Sequence, residues 1–121
     1  MPDRAVPALL RGAAAAAYPS IEEGFGLPAL EALACGTPLV TTAGSAMAEV
    51  SGETALLVAP HQVAELAEAL EAQLSGGAAV AARRRRALDR AALYTWERCA
   101  DRHADAYRWA LHAHDGPAPG A

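Results

Sequence analysis

The chain has 121 residues, of which ten are Lys or Arg and fourteen are Asp or Glu, so its formal net charge is −4 at pH 7. This length accommodates one domain and excludes a two-domain cleft enzyme within these residues, because domains typically have about 100–150 residues. No apolar window approaches the roughly 18 residues of a membrane span, no signal peptide is recognisable, and the mild acidity argues against nucleic acid as the main partner.

The composition predicts a thin hydrophobic core. Alanine supplies 33 residues, and each buried alanine removes little apolar surface from water. All ten basic residues are Arg, so no Lys is available for chemistry. Cys35 and Cys99 do not have the spacing of a zinc site. We expect both to be free thiols in a reducing, cytoplasmic setting.

Two elements are expected before the first loop. Residues Val6–Arg11 indicate a short helix with Leu9 and Leu10 facing inward. Residues 13–18, five alanines and a tyrosine, fit either a helix or a central strand buried on both faces. The later elements favour a strand, because their alternation of strand and helix describes parallel βαβ units.

A helix and a second strand are expected after this loop. Pro28 opens the helix, because a missing N–H needs no partner at the first helical position. Leu27, Leu30 and Ala34 share one face of the helix, which we expect to be buried. Residues 38–42 predict the second strand.

A third strand and two further helices are expected next. Residues 55–58 indicate the strand. Residues 80–93 predict the second of these helices, on which the run Arg83–Arg86 is interpreted as a solvated face. The first of them has apolar residues at the period of one buried face, namely Val63, Leu66, Ala67, Leu70 and Leu74.

The last helix is expected to begin after Thr95, whose side chain can cap it, and to run to about His112. Residues 1–111 are thus predicted to form a partial α/β domain. Residues 112–121, rich in Pro and Gly, are predicted to be a disordered tail. The predicted buried side of the last helix consists of Trp96, Cys99, Ala100, His103, Ala106, Tyr107 and Ala110.

Together these elements predict the α/β class, with a Rossmann-like partial parallel sheet and flanking helices. The crossovers between parallel strands are expected to be right-handed. A sheet of three strands has long open edges and normally continues, so we expect further strands of the domain to lie outside these 121 residues.

The loop between the first strand and the first long helix is the candidate site. Open α/β sheets bind ligands where such a loop leaves the carboxyl end of a strand. The amides of residues 25–27 and the helix dipole predict a place for an anion such as a diphosphate. Glu23 and Glu31 flank that place, and a carboxylate beside a diphosphate is best explained as an acceptor for ribose or sugar hydroxyls. The alternative is a solvated loop with Glu31 as a partner of the helix dipole.

Residues Pro19-Ser20, Glu23–Pro28, Glu31-Ala32 and Cys35–Pro38 resemble the signature of retaining GT-B glycosyltransferases of family 4, also called glycosyl transferases group 1. The resemblance continues through Ser45, Glu49-Val50, residues 55–58 and Trp96-Glu97. The resemblance implies the C-terminal half of a donor-binding domain. It implies transfer of a hexosyl group, with retention, from a UDP- or GDP-linked sugar to an acceptor glycan or lipid. It also implies that no metal and no other cofactor is required.

The resemblance assigns roles to five residues. Glu23 corresponds to the catalytic position near the donor sugar, and Glu31 to the acceptor for the ribose hydroxyls. Phe25, Gly26 and Leu27 correspond to the donor-binding loop that holds the sugar and the diphosphate.

The resemblance also predicts that the isolated chain is inactive. The family neutralises the diphosphate with an Arg and a Lys from earlier strands, which these 121 residues do not include, and the acceptor-binding N-terminal domain is absent as well. Two alternatives stay open: one chain of a split glycosyltransferase, or a non-catalytic nucleotide-binding or interaction module. We expect a cytoplasmic protein, with a peripheral membrane position as an option for the full-length enzyme.

Overall fold

The structure, a computed structural model, describes residues 3–114. Strands β1 (Ala16–Tyr18), β2 (Leu39–Thr42) and β3 (Leu56–Val58) form one sheet in the order β1-β2-β3. Both strand pairs are parallel, with Ala16 opposite Leu39 and Val40 opposite Leu56. The predicted α/β class and the parallel sheet are confirmed.

Six α-helices accompany the sheet in the described part of the chain. None of them is long and apolar enough to cross a membrane. The last helix continues to His114, into the predicted tail, and residues 115–121 lie outside the described residues. The helices are α1 (Val6–Gly12), α2 (Leu27–Ala34), α3 (Ala46–Ser51), α4 (Val63–Leu74), α5 (Gly77–Ala91) and α6 (Trp96–His114).

The core is as thin as the composition predicts. Two clusters of buried apolar residues meet at α2, which contributes to both. Half of their eight members are alanines, so each buries little apolar surface. The first cluster is Ala29, Ala32, Leu39, Met47 and Ala55, and the second is Leu33, Val50 and Ala87.

Strand β1 is shorter and less buried than predicted. Residues 13–15 lie outside the strand, and both Ala17 and Tyr18 are exposed. Every residue of β2 is buried. The prediction of a strand is confirmed, but its central position is wrong, because β2 and not β1 is paired on both sides among the described strands.

The buried face of α2 differs from the predicted one. Leu27 is 56% exposed and Ala34 is exposed, whereas Ala29, Ala32 and Leu33 are buried. Helix α2 packs against α3 and α5 as well as against β1 and β2. The small side chains let these neighbours approach closely, so the broad buried surface does not coincide with the leucine stripe.

Helix α4 is anchored by a polar side chain rather than by its whole apolar face. Val63 is 78% exposed and Leu74 is also exposed, contrary to the prediction. Gln73 is instead 2% exposed, and its Nε2 donates to the carbonyl oxygen of Leu39 at 2.9 Å. Its Oε1 accepts from Nε of Arg83 at 3.2 Å. A buried amide with both ends paired therefore joins α4 to β2 and α5.

The arginine run on α5 is only partly a solvated face. Arg83 is bound to Gln73, and Nη2 of Arg84 donates to the carbonyl oxygen of Ala14 at 3.4 Å. Arg85 and Arg86 are exposed. The interpretation therefore holds for the second half of the run and is wrong for the first half.

Helix α6 departs furthest from the prediction. The predicted cap is confirmed, because Oγ1 of Thr95 accepts from the N–H of Arg98 at 3.2 Å. The predicted buried side is wrong: Trp96 and Tyr107 are 84% and 71% exposed, and only Cys99 of that set is partly buried. No described helix or strand packs extensively along α6, so the amphipathic pattern has no partner to bury it.

Candidate functional site

The loop of residues 19–26 leads from the carboxyl end of β1 into α2. Oγ of Ser20 donates to the carbonyl oxygen of Glu22 at 3.1 Å, which tightens the start of the loop. Gly26 ends the loop as the residue that precedes the helix, and its carbonyl oxygen accepts from the N–H groups of Ala29 and Leu30. Because Pro28 is the second residue of α2 and has no N–H, it leaves no donor unpaired there.

Gly26 is required by the fold itself. Its φ of +89° lies in the left-handed region, which side chains disfavour. A Cβ atom at this position would lie 2.9 Å from Cγ and 3.0 Å from Cα of Met47, which is completely buried. A Cβ atom at Gly24, in contrast, would meet nothing within 4 Å. The end of the loop is thus held against α3, while its middle faces open space.

A groove of about 540 Å³ lies where β1 and β2 end, and we call it the Glu23 groove. Residues 21–24 form one wall and residues 44–46 form the other. Glu22 and Glu23 supply two carboxylates, and none of the described lining residues is basic. The groove therefore suits a ligand that donates hydrogen bonds from hydroxyl groups, and it repels an anion.

Glu23 also acts on its neighbour Tyr18. Its negative charge is the main cause that raises the pKa of the Tyr18 phenol above its ordinary value. Tyr18 ends β1 and is about one-third exposed. The Glu23 carboxylate is therefore directed back toward the end of β1.

We expect the Tyr18 phenol to titrate above the ordinary tyrosine pKa of about 10 and to return toward it in Glu23→Gln. A raised folded-state pKa stabilises the fold below the unfolded pKa, and that contribution is lost as pH rises through the folded pKa. Phenolate absorbance measured in a Tyr94→Phe, Tyr107→Phe background reports Tyr18 alone. Glu22→Gln is the matched control, and an equal effect of both substitutions would contradict the assignment.

The backbone at the start of α2 offers unpaired donors. In the described part of the chain, the N–H groups of Phe25, Gly26 and Leu27 have no protein acceptor, and no side chain caps the helix. The helix dipole places partial positive charge at this end. Phe25 and Leu27 are exposed, so their amides can reach water or an anionic group, whereas Gly26 is buried.

The remaining predicted site residues point elsewhere. The Phe25 ring is half exposed and meets Tyr94 edge to face, with ring centroids 6.3 Å apart. The side chains of Phe25 and Leu27 line a second cavity and not the Glu23 groove. Glu31 is exposed on α2 and lines neither space. Glu23 and the loop amides are thus neighbours along one loop, and the Glu31 side chain lines neither space.

The second wall of the Glu23 groove was not predicted as part of the site, although Ser45 belongs to the residues that resemble the family signature. Ser45 both donates to the carbonyl oxygen of Thr42 at 2.7 Å and accepts from the N–H of Ala48 at 3.2 Å, so it caps α3. A signal was present, because Gly44 and Ser45 lie in the loop that follows β2, and parallel strands place such loops side by side. Residues 3–114 contain no group of three His, Cys, Asp or Glu side chains that could hold a metal ion.

Comparison with known proteins gives one consistent family. The family model for glycosyl transferases group 1 matches residues 1–92. The D-inositol 3-phosphate glycosyltransferase of Rhodococcus opacus (strain B4) is 40% identical over 111 residues, which is 90% of this chain and 25% of that protein. A glycogen synthase of Mycobacterium tuberculosis is 42% identical over 115 residues, 93% of this chain and 28% of that protein.

A third similar protein comes from a different organism. The O-antigen chain mannosyltransferase B of Escherichia coli is 33% identical over 108 residues, which is 89% of this chain and 28% of that protein. The chain therefore spans about a quarter of the length of the curated relatives it matches.

Proposed function

Because the chain belongs to the glycosyl transferases group 1 family, we propose that it binds the donor of a glycosyl transfer, a sugar joined to a nucleoside diphosphate. The relatives are named for mannosyl transfer, glycosyl transfer and glycogen synthesis. Family 4 membership, hexosyl transfer with retention, a UDP- or GDP-linked donor and a glycan or lipid acceptor all belong to this proposal.

The observation that carries the proposal is the change of polarity along one short loop. The Glu23 groove is acidic and suits the neutral, hydroxyl-rich part of a donor. The amides of residues 25–27 are unpaired and suit its diphosphate. A sugar diphosphate has these two kinds of group joined by one bond, in the order in which the loop presents their partners.

Each group would then have a distinct role in the reaction. The Glu23 carboxylate accepts a hydrogen bond from a sugar hydroxyl and orients the ring at the reacting carbon. The amides of residues 25–27 stabilise the negative charge that grows on the departing diphosphate, which is where electrostatic catalysis has most effect. Glu31, one turn further along α2, accepts from the ribose hydroxyls of a nucleoside that extends along the helix.

The test is a ¹H–¹⁵N NMR titration of the 121-residue chain with UDP, GDP and their hexose conjugates. We expect the amides of residues 25–27 to shift in all cases. Glu31→Gln should weaken binding of the free nucleotides by roughly tenfold. Glu23→Gln should weaken binding of the sugar conjugates alone, again by roughly tenfold. Glu68→Gln, on the exposed side of α4, is the control.

Two results would overturn the proposal. The first is a dispersed spectrum in which no nucleotide shifts residues 25–27. The second is an equal loss of affinity in Glu68→Gln, which would assign the effect to net charge alone. Because binding and not transfer is measured, the expected inactivity of the isolated chain does not affect the outcome.

A further inference from the structure

A second cavity, of about 830 Å³, opens between the start of α2 and the segment that joins α5 to α6. We call it the α2–α6 cavity. It shares no lining residue with the Glu23 groove. Its walls are mainly apolar, formed by Phe25, Leu27, Leu30, Leu93, Tyr94 and Trp96.

Three arginines and one carboxylate also line this cavity: Arg90, Arg98, Arg102 and Glu97. Arg90 is already engaged, because its guanidinium donates to the carbonyl oxygen of Glu49 at 2.6 Å and to that of Val50. Arg98 and Arg102 are exposed, one turn apart on α6, and form no ion pair within residues 3–114. Two uncommitted guanidinium groups therefore stand beside an apolar space.

Two aromatic side chains of the wall are left exposed by the described helices and strands. The Phe25 ring is 51% exposed and the Trp96 ring 84% exposed, although both belong to an otherwise apolar lining. Large apolar side chains left open in this way commonly mark a binding surface. The charged side chains beside them narrow the class of ligand, because a purely apolar ligand would leave Arg98 and Arg102 without partners.

We propose that the α2–α6 cavity binds an amphipathic phosphate monoester, with its alkyl chain against the aromatic and leucine walls and its phosphate on Arg98 and Arg102. The three arginines and Glu97 give the lining a formal charge of +2. A phosphate monoester carries a charge of about −1.5 to −2 at pH 7. Guanidinium groups match phosphate oxygens in bidentate geometry, and two of them at one helical turn can share a single phosphate.

This proposal does not depend on the proposed donor site. The donor diphosphate is assigned to backbone amides, and none of the arginines of the α2–α6 cavity contributes to that assignment. The experiment uses no nucleotide, so a negative result here leaves the donor proposal standing, and the reverse also holds.

The probe is decyl phosphate below its micelle concentration, followed by the fluorescence of Trp96 in a Trp109→Phe background. Contact with an alkyl chain should shift the Trp96 emission to the blue, with saturation at one site. Decyl maltoside has the same chain without charge, decyl sulfate has one charge, and inorganic phosphate has no chain. We expect decyl phosphate to bind roughly tenfold more tightly than each of these.

Matched variants separate the two halves of the site. Arg98→Gln combined with Arg102→Gln should weaken the binding of decyl phosphate by roughly tenfold or more and leave the binding of decyl maltoside unchanged. Arg85→Gln combined with Arg86→Gln removes the same charge from exposed positions on α5. This double variant should change the affinity for neither ligand. The proposal is overturned by equal affinity for decyl phosphate and decyl maltoside, by an equal effect of the two double variants, or by a fluorescence change that never saturates.

Discussion

Gly26→Ala is expected to lower the free energy of unfolding by about 2–5 kcal/mol. A side chain at φ +89° costs about 1–2 kcal/mol in the left-handed region. The new Cβ atom would also lie 2.9 Å from Cγ of Met47, and relief of such overpacking costs about 1–3 kcal/mol. Met47 cannot move aside, because it is completely buried in the first core cluster. Chemical denaturation followed by circular dichroism measures the loss.

Gly24→Ala is the matched control in the same loop. Nothing lies within 4 Å of its added Cβ atom, and φ at this position is not in the left-handed region. We expect a change of less than about 0.5 kcal/mol, as for most surface substitutions. Equal destabilisation by the two substitutions would show that the contact between Gly26 and Met47 does not hold the loop.

Gln73→Leu is the second substitution with a large expected effect, about 2–3 kcal/mol of destabilisation. The leucine fills a similar volume but removes the hydrogen bond to the carbonyl oxygen of Leu39 and the acceptor for Arg83. Both bonds lie in or beside a fully buried position, where a lost partner is not replaced by water. A shift of the denaturation midpoint with an unchanged slope would report this loss.

Gln62→Leu provides the comparison, because Gln62 is exposed at the start of α4 and its side chain makes no capping hydrogen bond. A double-mutant cycle of Gln73→Leu with Arg83→Met should give a coupling energy of about 0.5–1.5 kcal/mol. If the two substitutions are additive, the contact between Gln73 and Arg83 contributes nothing to stability, contrary to this prediction.

The sequence predicts local structure well where the residues at a position determine that structure directly. Pro28 and Thr95 mark the starts of helices, through the missing N–H of proline and the side-chain cap of threonine, and α2 and α6 begin within one residue of these positions. The loop residues from Glu23 to Leu27 are neighbours along the chain, so their proximity follows from sequence order alone. Family membership follows from the same stretch, because the resemblance to glycosyl transferases group 1 rests on it.

Burial was harder to predict because it depends on what packs against each element. Leu27 and Val63 lie on apolar stripes and remain exposed. Gln73 is polar, so no apolar pattern identifies it, yet it is completely buried. Periodicity reports that a face is apolar but not which neighbour covers it. The pairing of residues 21–24 with residues 44–46, and of Phe25 with Tyr94, arises only when distant segments fold together.

Glu23 and Phe25 are two residues apart, yet their side chains line different spaces. One short stretch of backbone therefore forms part of both walls. A ligand that changes the conformational freedom of this stretch by binding in one of the two spaces alters the free energy of binding in the other. Thermodynamic reciprocity then requires that each ligand change the affinity of the other by the same factor. The affinity measured in one space therefore depends on whether the other space is occupied.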